Sequence, residues 1–470
     1  MRAINELPGP RGLPLLGNVL QLNTGRMHTI LSAWADEFGP MYRYRIANQD
    51  ALVIADTDLV NEVLRNRPDG FRRGKRMQAI ILELGVNGVF NAEGADWRRQ
   101  RTLAMLALNT NHLREFFTRL ELVTARLQRR WERAAAAGET VDALSDLRRF
   151  TVDVTSSLAF GKDLNTLEKE GDVIQRHLDK IFPAVARRLF APFPYWRWFK
   201  LPVDRELDAA VVEVHKLVND LVADARGRTD DTSSKRPGNF LDAMVAGQTD
   251  GTAAFTDAEI VGNALTMLLA GEDTTSNTLA WMMHLMIEYP AAQARMQAEA
   301  DRVLGAAERP GDYAISDSLQ YIEAVAQETM RLKPVAPFLW VEPMEDIVLG
   351  DVRVPKGTPI NALTAHVATA ATNFTDSKSF RPERWLDAAG RSADGHNTQA
   401  FLPFGAGPRF CPGRHLAMLE IKMVAAMLCR NFDLSRAPDS PPTEEVFSFT
   451  MMPSSVSVRL RRRAPSAGLR

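Results

Sequence analysis

Apolar residues recur every three to four positions over most of this chain, and every second position only in short runs. The longer period predicts helices over residues 29–38, 96–108, 112–137, 142–159, 173–182, 204–225 and 240–246. Asp56 is placed to cap a further helix reaching Arg65. Thr256 and Glu259 form a capping box opening the longest pattern, which ends at Tyr289 before Pro290. A helix of that length would run on the order of 50 Å. Another should end near Gly305, and one more should span 319–332, ahead of Pro334. Strand alternation marks Tyr42, Tyr44 and Ile46, then 51–54, 338–341, 347–354 and 359–362, with a hairpin after Phe447. Residues 68–95 read as a long loop with short helical pieces, a length that is often functional. Residues 226–239 and 387–397 read as polar loops, 1–28 as a proline-rich start and 461–470 as a frayed tail. No internal repeat is found. The expectation is one domain over 1–470, mainly α (α+β), with a small N-terminal β-sheet region.

Composition changes little in this picture and narrows the function. The chain has 470 residues, 45% hydrophobic and 24% charged, with a net charge of −1. That is ordinary globular composition and gives no footprint for nucleic acid. Two cysteines exclude a disulfide framework and fit a reducing compartment. No N-terminal stretch resembles a signal peptide or is apolar for long enough to be a spanning helix.

Three stretches break the local rules in ways that suggest chemistry. Phe404, Gly405, Gly407, Arg409, Cys411 and Gly413 lie in FLPFGAGPRFCPGRH. The first two glycines permit tight turns, and Pro412 suits the first position of a helix. Cys411 would then stand near a helix N-terminus, which favours thiolate over thiol. Gly413 would keep the backbone close to the sulfur, with Arg409 as a nearby cation. A lone buried loop cysteine is the plain alternative; the matched positions around it favour a metal ligand. Ala270-Gly271-Glu272-Asp273-Thr274-Thr275 is a polar cluster in the middle of an apolar helix, costly to bury and weakened by its glycine. Ala270 and Thr274 share one helical face and Glu272 points to nearly the opposite side. Glu328 and Arg331 also share a face, a weak signal alone.

The cysteine stretch, F-x-x-G-x-R-x-C-x-G, resembles the haem-binding loop of the cytochrome P-450 family, whose axial iron ligand is a cysteine thiolate. The resemblance, here to the soluble bacterial type, runs in order through Trp97, Arg101, the Ala270–Thr274 cluster, Glu328, Arg331 and PERW at Pro382–Trp385. It implies a triangular helical bundle holding haem b, with Cys411 as axial ligand. It further implies that the cluster from Ala270 passes over the haem, that Gly271 and Thr274 open an oxygen groove, that Thr274 hydrogen-bonds dioxygen and that Asp273 relays protons, leaving Glu272 outside the chemistry. Phe404, Gly405 and Gly413 would belong to the haem-binding loop. Trp97, Arg101 and Arg409 would meet the haem propionates, and Arg384 would join Glu328 and Arg331 in a buried brace. One departure stands out. Where many relatives carry a propionate arginine, this chain has Trp340-Val341-Glu342.

The same resemblance implies an oxidoreductase, a monooxygenase hydroxylating or epoxidising an apolar small molecule, for instance of secondary metabolism. Its electrons would come from an external donor of ferredoxin or flavodoxin type with its reductase. Arg98, Arg99, Lys333, Arg414, Lys422 and Arg430 would form a basic face for that donor, or be scattered solvated charges. Met77, Ile80, Ile81 and Phe90 are substrate-pocket candidates in the long loop, as are Leu265 and Leu269 on the long helix. Val335, Ala336, Phe338, Leu339, Met451 and Met452 complete the set, though any could be ordinary core. The aromatic run 193–199 resembles the roof of a substrate channel, and could also touch a membrane or carrier. The stretch 7–18 resembles the hinge after a membrane anchor, here without the anchor, which suggests a soluble cytoplasmic protein. A peroxide-using haem enzyme and a non-catalytic haem sensor or carrier are the alternatives; Asp273 and Thr274 favour the dioxygen route.

Overall fold

The computed structural model describes all residues except 170–172, 192, 231–238, 250–254, 387–395 and 465–470. Most of the polar loops expected at 226–239 and 387–397, and of the expected tail, therefore lie outside the described residues. The molecule is mostly helical with small sheets. Its axis is the helix Asp257–Glu288, 32 residues or about 48 Å long, opened by the reciprocal Thr256–Glu259 capping box. The helix Ala143–Phe160 lies against it so closely that a β-carbon on Gly271 would come within 2.3 Å of Thr155 Oγ1. Thr151 Oγ1 donates across the same seam to the Glu272 carbonyl at 2.8 Å. The glycine is thus needed for helix contact as much as for any oxygen groove.

Around this axis the apolar stripes of Thr110–Ala137, Pro290–Leu304, Gln320–Leu332 and Arg414–Asn431 close one core. Lys75–Glu83, Ile181–Phe190, Pro202–Asp230 and Phe240–Thr249 close a second on the other side. The helix expected over 173–182 is two, Val173–Leu178 and Ile181–Phe190. Pro183 sits in the first turn of the second, where its missing N–H is harmless.

The main sheet takes three of its five strands from the N-terminal region and two from residues 339–362. Its strand order is Met41–Ile46, Gln49–Ile54, Ile360–Ala362, Leu339–Pro343, Phe71–Arg73, and only the Gln49–Ile54 to Ile360–Ala362 pairing is parallel. The expected loop 68–95 thus contains an edge strand and a helix, Lys75–Glu83. The terminal hairpin is Glu445–Ser448 with Thr450–Pro453, and Ser457–Arg462 pairs separately with Phe432–Arg436. No helix among the described residues is long and apolar enough to cross a membrane.

Candidate functional site

The cysteine loop is built as its glycines require. Gly405 and Gly407 have φ of +69° and +67°, and a β-carbon on Gly407 would lie 2.5 Å from the Leu64 carbonyl oxygen. The Cys411 N–H returns to the Phe404 carbonyl at 2.8 Å, closing the loop. Helix Arg414–Asn431 starts three residues after the cysteine, with Gly413 as its cap, so Pro412 is ahead of the helix rather than its first residue. Burial outweighs the Gly413 N–H, Arg101 and Arg414, which pull the other way, and leaves the Cys411 thiol raised, so the loop by itself does not favour thiolate as expected. A β-carbon on Gly413 would touch the sulfur at 3.8 Å, so that residue does lie close. Cys429, fully buried in the core with its thiol pushed up by desolvation, has no such setting.

Arg101 donates to the Phe410 carbonyl at 2.6 Å, and Arg409 lies over the Trp97 ring at 4.6 Å while pairing with Glu93. These three expected propionate residues are joined by two others. Arg73 and Arg67 are buried beside them, so that Arg67, Arg73 and Arg409 all face the carboxylate of Glu93, with Arg101 adjoining Arg409. Desolvation, then Arg67 and Arg409, push Arg73 down to about 9. Desolvation and the same crowding, opposed by Glu93, leave Arg409 at about 10. Arg67 Nε and Nη2, Arg73 Nε and Arg409 Nε are buried without hydrogen-bond acceptors among the described residues. A buried cluster short of negative charge and acceptors suits an anion with several oxygens. The two propionates of a haem meet that need, so the residues present fit the group. Arg73 also stands directly beside the departure at Val341. In the antiparallel pairing of Phe71–Arg73 with Leu339–Pro343, Arg73 is the direct partner of Val341. Glu342, next in the strand, is occupied by Arg72.

On the long helix, Ala270 is exposed and Thr274, one turn on, is half-buried, in a stretch otherwise mostly buried. Thr274 Oγ1 donates to the Ala270 carbonyl at 2.9 Å. Asp273 is 5% exposed and accepts from Thr450 Oγ1, with Arg148 Nη2 3.5 Å from its other oxygen. Arg148 reaches Asp179 at 3.0 Å, and Asp179 is partly exposed, so a charged chain links surface to Asp273. Glu272 does face away from Thr274, but into protein. It is 2% exposed, accepts from Gln175 at 2.6 Å, and lies 3.8 Å from Arg148. Burial and Asp273 push it up to about 8, and burial likewise raises Asp273. Reading helical phase alone missed this second carboxyl, and nothing local signalled Arg148, Asp179 or Thr450.

Glu328, Arg331 and Arg384 come together with no exposure at all. The carboxylate accepts from Arg331 Nε and Nη2, Arg384 Nε, the Arg381 N–H and Trp385 Nε1 at 2.7 to 3.0 Å. The arginines donate onward to carbonyls of Ala368, Thr375, Asp376, Ser377 and Ser379, so they hold that segment rather than the cysteine loop itself. Trp385, 4.5 Å from the Phe401 ring, links the two.

Met77, Ile80, Ile81, Leu265 and Leu269 share one core with Phe90 against it, whereas Phe338 and Met451 pack in another with Phe447. Trp340 touches both. Val335 gives its carbonyl to Met451 N–H at 2.9 Å and Ala336 to Thr364, while Met452 faces Arg148 and Leu339 packs with the sheet core. Phe182, Phe447 and Phe449 are aromatic neighbours of the candidates that the sequence reading passed over. In the run 193–199, Trp196 is buried on Glu83, while Phe193, Trp198 and Phe199 are exposed. The expected basic face is largely neutralised. Arg98 pairs with Asp69, Arg99 with Glu259, Lys333 with Glu445, Lys422 with Glu323 and Arg430 with Asp301.

The sequence pattern of the family described as cytochrome P-450 matches residues 7–460. A cytochrome P-450 of Caenorhabditis elegans, CYP13A7, is 30% identical over 97% of this chain and 94% of its own length. Cytochrome P-450 703A2 of Arabidopsis thaliana is also 30% identical, over 94% and 90%. Cytochrome P-450 3A6 of the rabbit, Oryctolagus cuniculus, is 26% identical, over 91% and 85%. These relatives are nematode, plant and mammalian, which gives no support to the expected bacterial type. The cysteine loop, the helix cluster and the buried brace thus stand in one chain matched almost end to end, which belongs to the cytochrome P-450 family of haem-thiolate monooxygenases.

Proposed function

We propose that Cys411 supplies the axial thiolate to haem b, and that the chain hydroxylates or epoxidises an apolar small molecule with dioxygen and externally supplied electrons. The observation that carries this reading is the pairing of a loop cysteine with a buried, anion-deficient arginine cluster. When bound, haem supplies the activation of dioxygen. Trp97, Arg101 and Arg409 hold the propionates, and Arg73 takes the place of the anchor absent at Val341. Ala270 and Thr274 present the oxygen-side face. Asp273 carries protons inward from the side of Asp179, Arg148 holds the two carboxyl groups in line, and Thr274 passes the protons on. Phe90, Phe182, Phe338, Trp340 and Phe449 favour an apolar substrate with flat faces. The donor is of ferredoxin or flavodoxin type and docks on the cysteine side, where Arg98 and Arg414 are exposed. The whole chain acts as one unit, and its two free cysteines accord with a reducing compartment such as the cytoplasm.

Reduction under carbon monoxide tests the ligand. The red-shifted Soret band of a thiolate complex is expected in the parent chain and in Cys429→Ser, and is lost in Cys411→Ser. Retention of that band in Cys411→Ser would sink the assignment.

A further inference from the structure

Asp273 does not touch the hydroxyl it is proposed to serve. Its two oxygens face Thr450 and Arg148, while the Thr274 hydroxyl is turned onto Ala270. Thr450 begins the second strand of the hairpin Glu445–Ser448/Thr450–Pro453, and the residue joining the strands is Phe449 at φ +74°. A side chain with a β-carbon adopts that conformation only when its surroundings impose it. Here they are aromatic. The Phe449 ring is stacked on Phe182 at 5.0 Å with planes 3° apart, and meets Phe90 edge-on at 6.2 Å. Beyond Thr450, the Met451 N–H is fixed to the Val335 carbonyl at 2.9 Å.

We propose that this hairpin tip is a substrate-responsive clamp. Phe449, held by Phe90 and Phe182, seats Thr450 on Asp273 and keeps the carboxylate turned from Thr274; an apolar molecule wedged among the three rings releases it. Thr450 is therefore a positioning residue, and Phe449 is the group that senses the ligand. Only the catalytic consequence rests on the relay role given to Asp273; the clamp itself is a matter of hydrogen bonding and packing. The groups facing Asp273 are Arg148 from Ala143–Phe160, Glu272 and Asn277 on its own helix, Asp179 after Val173–Leu178, and Thr450. Burial opposes the charged form, while Arg148 and the Thr450 hydroxyl stabilise it. Loss of the Thr450 bond moves Asp273 toward its protonated form.

Infrared titration of the carboxyl band reads the clamp without turnover, with Asp273→Asn identifying which band belongs to Asp273. Thr450→Val and Phe449→Ala are both expected to raise the pH at which that band disappears, increasing the protonated fraction at neutral pH severalfold. Thr450→Ser should titrate like the parent, and Thr450→Ala serves if valine disturbs the strand. An unchanged titration in the Thr450 variants overturns the proposal, as does one that moves in them but not in Phe449→Ala. The relay is tested separately. If Asp273→Asn leaves product formed per electron unchanged while the Thr450 variants still shift the band, the relay fails and the clamp stands.

Discussion

Replacing Glu328 with glutamine changes one atom type at the most connected point of the brace. In the parent, Oε1 accepts from Arg331, Arg384 and the Arg381 N–H, and Oε2 accepts from Arg331 Nε and Trp385 Nε1. An amide can supply only one of those oxygens. If NH2 takes the Oε2 position, two donors face a third and both bonds are lost. Two guanidinium groups with no solvent exposure also lose their shared counter-charge. Breaking a buried pair from one side costs about 3–5 kcal/mol, and the unsatisfied donors place Glu328→Gln toward the upper part of that range. For 470 residues unfolding together, the entropy at the midpoint is roughly 1 kcal/mol per kelvin, so Tm should fall by about 4–5 °C. A smaller cooperative unit would give a larger fall. Scanning calorimetry of the haem-loaded protein measures it. A Tm within about 1 °C of the parent refutes the view that this cluster braces the fold.

The cysteine loop offers a paired comparison: Gly407→Ala should lose haem and destabilise by about 2–3 kcal/mol, because its β-carbon meets backbone, whereas Gly405→Ala, with open space and the same sign of φ, should lose only about 1 kcal/mol. Denaturant titration with haem-content assay separates them. Glu272 carries a pH effect with a defined sign. Its folded pKa, raised from 4.5 to about 8, means that stability present below the unfolded value is lost as pH rises toward 8. Glu272→Gln should flatten that decline, gaining a few degrees of Tm on the parent at alkaline pH relative to mildly acid pH; parallel Tm profiles would refute it. Arg73→Gln should speed haem transfer to a scavenging apoprotein by about tenfold or more, as expected for one lost charge-assisted bond, whereas Arg72→Gln, whose partner is Glu342, should not.

Local chemistry was legible from the residues themselves. The Asp56 cap, accepting from the N–H groups of Asp58 and Leu59, and the Thr256–Glu259 box stand where short-range spacing put them. The positive φ of Gly405 and Gly407 was equally readable, whereas the brace at Glu328, a weak pair signal alone, came only with the family resemblance. What escaped notice depends on distant partners or on competition between signals. The single helix expected over 173–182 is two, and Pro183 is tolerated in the first turn of the second. Glu272 pointed away from Thr274 as its phase required, but whether that side met water or protein depended on Ala143–Phe160. Arg73 opposite Val341, and Thr450 on Asp273, are pairings across 268 and 177 residues that no local window contains. The apparent basic face was a count of cations blind to the acids beside five of the six.

The strand Gln49–Ile54 has a consequence for the order in which this protein comes into being. One of its edges pairs at once with Met41–Ile46, while the other waits for Ile360–Ala362. During synthesis that second edge, and the apolar face around it, stays open while some three hundred residues are made. Arg73 likewise waits for Leu339–Pro343, and Thr450 reaches Asp273 later still. The half-made chain thus carries an unpaired sheet edge, the kind of surface through which nascent chains associate wrongly.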